Sequence, residues 1–146
     1  MRIEVIAENK SDFLELLRLA DEEKMIERYL ERGVLFALYD GGLKSACVVT
    51  REGGGLCEIQ NLATWPAHQR KGYASALVEH IFHYYKEECK TMVVGTGDSP
   101  RTILFYEYCG FTVSHRVKDY FPLHYESPVL ENGVQLFDKV YLKKEL

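Results

Sequence analysis

A mixed α/β fold is predicted, with helices on both faces of a mostly antiparallel sheet of about seven strands and about four helices. Three observations predict it. Short apolar segments separated by glycine turns form a run in the first half, "VLFALY", "LKSACVVT" and "LCEIQNLAT". Helix-period stripes interrupt the strands near both ends of the chain. The whole order reads β, α, α, β, β, β, α, β, α, β, β, a pattern that covers both faces of one sheet. At 146 residues the chain is expected to form a single domain over 1–146 with a sizeable core.

Each element has its own warrant. "RIEVIA" alternates as a strand does. Ser11 stands where a helix cap would, ahead of Phe13, Leu16, Leu17 and Ala20, which share one helical face. A second short helix is expected over 21–31, stopped by Gly33. The turns "DGG" and "GGG" then join three strands into an antiparallel meander. Residues 73–88 carry the longest stripe: Ala74, Leu77, Val78, Ile81 and Tyr85. "TMVVGTG" reads as a buried strand. A helix over 100–109 opens with Pro100 behind Ser99 as N-cap and ends at Gly110. "FTVSHRV" and "VQLFDKVYL" are the last strands, with a long aromatic and acidic loop over 118–133 between them.

Composition excludes several classes. Hydrophobic residues at 47% and charged residues at 27% describe an ordinary globular protein, with no apolar run of membrane-spanning length and no leader-like start. A net charge of -4 argues against a nucleic-acid partner. Cys47, Cys57, Cys89 and Cys109 form no C-x-x-C pair and no zinc-ligand spacing, so buried free thiols in a reducing cytoplasm are expected, and no metal.

The stretch "PAHQRKGYASALVEH" carries the chemistry. Arg70 and Lys71 surround Gly72 where a strand and loop give way to a helix. Unpaired N–H groups and the helix dipole at such a start attract an anion, and glycine permits close approach or a positive φ. Neither a Walker-type loop nor a dinucleotide glycine pattern is present, so spacing alone leaves a solvated basic turn and a generic phosphate binder open.

"NLATWPAHQRKGYASALVEH" resembles the acetyl-CoA loop of the GNAT N-acetyltransferases, whose pattern Q/R-x-x-G-x-G/A falls on Gln69, Arg70, Lys71, Gly72, Tyr73 and Ala74. "GTGDSPRTILFYEYCGF" resembles that family's later helix, and the tail resembles a branch of small bacterial members of mostly unassigned substrate. The resemblance implies that coenzyme A pyrophosphate is the anion, with Ser75 and Ser99 as further contacts. It also implies that the backbone of Leu62, Ala63 and Thr64 pairs with the pantetheine arm. Ser99 stands where an Asn is frequent, and Trp65 where an acid is frequent.

The activity so implied is transfer of an acetyl group to a primary amine, on a small cationic molecule or a protein, by direct attack in a ternary complex. A non-catalytic acyl-CoA sensor is the alternative, and a homodimer is a family habit. Such transfer needs a neutral amine, a donor at the developing oxyanion and a proton for the leaving sulfur. Tyr106, four residues before Gly110, is the expected acid, and Glu58, between Cys57 and Ile59, the expected base acting through water. Asp119, Phe121, His124 and Tyr125 in the 118–133 loop are the expected acceptor contacts, offering aromatic walls and negative charge.

Overall fold

The computed structural model describes all residues, Met1–Leu146. Seven strands form one twisted sheet in the order β1-β2-β3-β4-β5-β9-β6. They are β1 (Arg2–Ile6), β2 (Val34–Tyr39), β3 (Leu43–Gly53), β4 (Leu56–Thr64), β5 (Thr91–Gly97), β6 (Thr112–Val117) and β9 (Lys139–Glu145). A two-stranded hairpin, β7 (Leu130–Glu131) and β8 (Val134–Gln135), stands apart. The helices are α1 (Leu14–Leu17), α2 (Glu23–Ile26), α3 (Tyr73–Tyr85), α4 (Pro100–Tyr108) and α5 (Tyr120–His124).

The expected three-strand meander is present: β2, β3 and β4 pair antiparallel in sequence order, and β1 adds antiparallel to β2. β4 and β5 run parallel, so their connection needs a crossover, and α3 supplies it. β2 is buried on both faces, which explains its unbroken apolar run; Leu35, Phe36, Ala37 and Leu38 are wholly buried. On one face Leu77, Val78, Ile81, Phe82 and Tyr85 of α3 pack with Phe36, Cys47, Val49 and Ile59, joined by Tyr106 of α4. On the other, Leu16 and Leu17 of α1 and Ile26, Tyr29 and Leu30 pack on Leu35, Ala46, Val48 and Ala63. This is the two-faced arrangement expected from the sequence.

Several expectations change. Ser11 lies inside a 3-10 turn, Lys10–Phe13, rather than capping a helix, and Ala20 lies beyond α1. The second helix shrinks to α2, because the turns after it are fixed by Lys10, whose ammonium donates to the carbonyls of Leu30, Glu31 and Gly33 at 3.2, 3.2 and 2.7 Å. Ser99 occupies the N-cap position of α4 without a side-chain capping bond. The strand expected over 134–142 is broken. Leu136 turns inward and its N–H bonds the Val129 carbonyl, while the Asp138 carboxylate accepts from Asp119 N–H and Arg116. The 118–133 loop contains α5 and most of the β7–β8 hairpin.

The cysteines also differ from expectation. Cys57 and Cys89 form a disulfide, leaving Cys47 and Cys109 free. Their Cα atoms lie 6.3 Å apart, within bridging reach, because β4 begins beside the end of the crossover helix.

Candidate active site

The site begins where β4 and β5 part. They pair only from Leu56↔Thr91 to Ile59↔Val94. At that point β4 carries a bulge: Val49 faces Ile59 and Val48 faces Asn61, leaving Gln60 without a partner in β3. A bulged strand bends. Beyond it, residues 61–64 stay paired with β3, while residues 95–97 stay paired with β9, so a wedge opens between them. Asn61 anchors its side: its amide donates to the Leu17 carbonyl at 3.0 Å and to the Tyr29 hydroxyl at 3.2 Å.

The wedge leads to the start of α3. Gln69 is extended, Arg70 has φ 61 and Gly72 has φ 85, two left-handed residues that curl the loop. Curled backbone of this kind turns successive N–H groups into one concavity. Gly72 caps α3 with no side-chain bond, so the first N–H groups of the helix remain open. A Cβ at Gly72 would meet no atom within 4 Å, so the space before the helix is clear for a ligand. The loop is held from outside: the Tyr73 hydroxyl donates to Asp40 at 2.7 Å, and the Gln69 amide to the Thr64 carbonyl at 3.3 Å.

One cavity of about 1380 Å³ runs from this loop through the wedge to the opposite sheet face. That exceeds a usual small-molecule pocket and leaves room for a large cosubstrate with an acceptor. Leu62, Thr64, Gln69, Arg70, Gly72, Tyr73, Ala74, Ser75, Tyr106, Phe121 and Tyr125 all line it. Glu58, Ala63, Lys71, Ser99, Asp119 and His124 do not. Ala63 is buried against α1 and α2, with its carbonyl accepting from Ser45 at 2.8 Å. His124 stacks on Tyr120 at 4.1 Å and bonds the Tyr120 carbonyl.

The two candidate catalytic groups occupy different sides. Tyr106 is buried, edge-on to Phe105 and Phe111, and burial pushes its phenol well above the ordinary value, so it stays protonated. Tyr108 is 82% exposed at the rim, which separates the two tyrosines of α4. Glu58 is half-buried opposite Thr50, on the far sheet face from α3. Desolvation raises its carboxyl above the ordinary range, Lys139 pulls it down and Glu52 adds to the rise.

The sequence reading missed the roof over the end of the cavity away from Gly72. Asp21 accepts from the Tyr29 hydroxyl at 2.9 Å and the Tyr125 hydroxyl at 2.8 Å, tying the α1–α2 turn to the end of α5. It also missed Lys139, which projects over Gly95 at the apex of the wedge. Neither residue carries a local motif; only the sheet order brings them there.

Comparison with known proteins agrees with this geometry. Residues 31–113 match the acetyltransferase (GNAT) domain family. The chain is 33% identical to YvbK, an uncharacterised N-acetyltransferase of Bacillus subtilis, across 100% of this chain and 97% of that protein. A Bacillus subtilis acetyltransferase crystallised with CoA superposes with a TM-score of 0.91 at 32% identity, covering 99% of this chain and 98% of the other. A GNAT acetyltransferase of Elizabethkingia anophelis with acetyl-CoA bound gives 0.91 at 28% identity over 99% and 97%.

Proposed function

The chain belongs to the GNAT acetyltransferase family, and from that premise we propose that it moves an acetyl group onto a primary amine by direct attack in a ternary complex. It is an acyltransferase with acetyl-CoA as cosubstrate. The observation that carries the reading is the wedge between β4 and β5, opening onto the uncapped start of α3 at Gly72.

Acetyl-CoA supplies the activated acetyl group and a sulfur that can leave. In this reading the chain does the rest. The curled loop from Gln69 to Gly72 and the open N–H groups at Tyr73, Ala74 and Ser75 take the pyrophosphate, with Arg70 and Lys71 adding charge. The β5-facing edge of residues 62–64 offers peptide groups to the pantetheine amides and a donor to the oxyanion. Glu58, its proton affinity raised by burial, takes the proton of the amine through water. Tyr106, kept protonated, gives one to the departing sulfur. No cysteine lines the cavity, which favours direct attack over an acetylated enzyme thiol. A homodimer belongs to the same reading, since β6 is an edge strand exposed along residues 112–116.

The test is an amine panel of peptides, polyamines, amino acids and aminoglycosides, incubated with acetyl-CoA and read by mass spectrometry. An acetylated amine with matching release of free CoA thiol is expected. Binding of acetyl-CoA with no acetylation of any amine would favour the sensor instead. Initial rates at varied concentrations of both substrates should give intersecting lines, and parallel lines would remove the ternary complex.

A further inference from the structure

The acceptor end of the cavity is not the negative surface that the acidic loop suggests. Of the carboxylates that line it, Asp21, Glu23 and Glu131 are already engaged, and the exposed Glu22 alone has no partner. Asp21 accepts two tyrosine hydroxyls and the Glu22 N–H. Glu23 pairs with Arg18, Glu52 with Arg32 and Glu126 with Lys24. Asp138 holds Arg116 and Asp119 N–H. Glu131 accepts from the Thr102 hydroxyl.

Lys139 stands in contrast. Its ammonium lies 4.4 Å from the centre of the Tyr120 ring and 4.9 Å from that of Tyr141. It enters none of the ion pairs of the chain. Its side chain crosses Gly95, where a Cβ would overlap its Cε and come within 3.1 Å of its Nζ. Gly95 is the first β5 residue past the last β4–β5 pair, so the absence of a side chain there is what lets the ammonium reach the apex of the wedge. Burial works against the charge, but the Tyr141 hydroxyl, Tyr120 and Glu58 outweigh it, and the amine is held protonated. A half-buried cation that is held charged and has no ion-pair partner is free to take an anionic ligand. Glu58, in the field of Lys139, also has no ion-pair partner. Arg28, a second cation without an ion pair, lies at the rim of the same cavity.

We infer that the acceptor carries an anionic group beside its amine, and that Lys139 binds that group. This rests on the amine-acetylation reading and narrows it to the acceptor class. The same cation repels a second ammonium, so diamines and polyamines are disfavoured. Charge-assisted bonds to a sequestered anion discriminate by roughly 10-fold or more.

The experiment compares kcat/KM for matched amines. Butylamine, γ-aminobutyrate and putrescine differ at the far end in having no charge, a carboxylate or an ammonium. Ethanolamine and phosphoethanolamine make the same comparison for a phosphate. The wild type is expected to prefer the anionic member of at least one pair by roughly 10-fold or more, and the pair that shows it names the anion. Lys139→Met should bring that ratio near one, and Lys139→Arg should keep it. Both members of a pair meet the same Glu58, so the ratio cancels any effect of Lys139 on the base. Calorimetric binding of acetyl-CoA to each variant reports that the fold is intact. A ratio near one in the wild type, putrescine as the best amine, or a ratio unchanged in Lys139→Met overturns the inference and leaves amine acetylation standing. No acetylation of any amine overturns amine acetylation, and this inference with it.

Discussion

Tyr106 and Glu58 differ in how far the sequence could place them. Tyr106 was legible as the tyrosine four residues before Gly110, and its burial beside Phe111 separates it from the exposed Tyr108. Tyr106→Phe removes one hydroxyl and little volume, so kcat is expected to fall about 10²-fold with acetyl-CoA affinity retained. A loss within twofold of wild type, or a larger loss in Tyr108→Phe, would show that the acid is elsewhere. Glu58 carries a pH prediction of its own. Its carboxyl is raised above the usual value near ~4.3, so kcat/KM should fall with acid from a higher pH than an ordinary glutamate gives. Ionising it costs the folded state more than the unfolded chain. That cost is present above the raised value and absent below the ordinary one. Glu58→Gln should therefore raise Tm at neutral pH, and the gain should shrink as the pH falls. A Tm difference that grows with acid would contradict the raised value. Lys139 was not legible, because "FDKVY" reads as plain strand and its neighbours come from β5 and α5.

Long amphipathic elements were read well and short ones were not. α3 shows its buried stripe over three turns, whereas α1 and α2 are one turn each and take their boundaries from tertiary bonds such as those of Lys10. α5 was hidden in aromatic residues that also suit a loop. The bulge in β4 left no mark either, since "LCEIQNLAT" alternates buried and half-buried straight through it. The loop before α3 was legible because its chemistry is local. Gly72→Val would force a β-branched residue to φ 85 and fill the open space in front of the helix. Acetyl-CoA affinity should drop by roughly 10-fold or more, with the far-ultraviolet circular dichroism unchanged; equal affinity by calorimetry would displace the cofactor from this loop. Binding of CoA should also weaken more steeply with salt than binding of a phosphate-free pantetheine, if Arg70 and Lys71 act on phosphates as proposed.

For the molecule as a whole, the β2–β3–β4 meander was legible, whereas the insertion of β9 between β5 and β6 was not, since it is set by long-range pairing. The Cys57–Cys89 bond was not legible either, because its partners are 32 residues apart and meet only through the crossover. Alkylation in denaturant without reductant should label two cysteines, Cys47 and Cys109, and all four after reduction. Closing a loop of that length is worth about 3.7 kcal/mol, so reduction should lower Tm; four labelled thiols at the outset would remove the bond. The shortness of the β4–β5 contact reaches further. The sheet is a zipper stopped after Leu56–Ile59 meet Thr91–Val94, and the peptide groups past the stop have no rung to complete. A pantetheine arm laid there would act as the missing tooth, joining two half-sheets that the polypeptide itself leaves apart. Amide hydrogens on the open edge of residues 60–64 should then exchange with solvent readily in the free protein and be shielded once CoA is bound. The cosubstrate would be, for as long as it stays, a temporary strand of the fold.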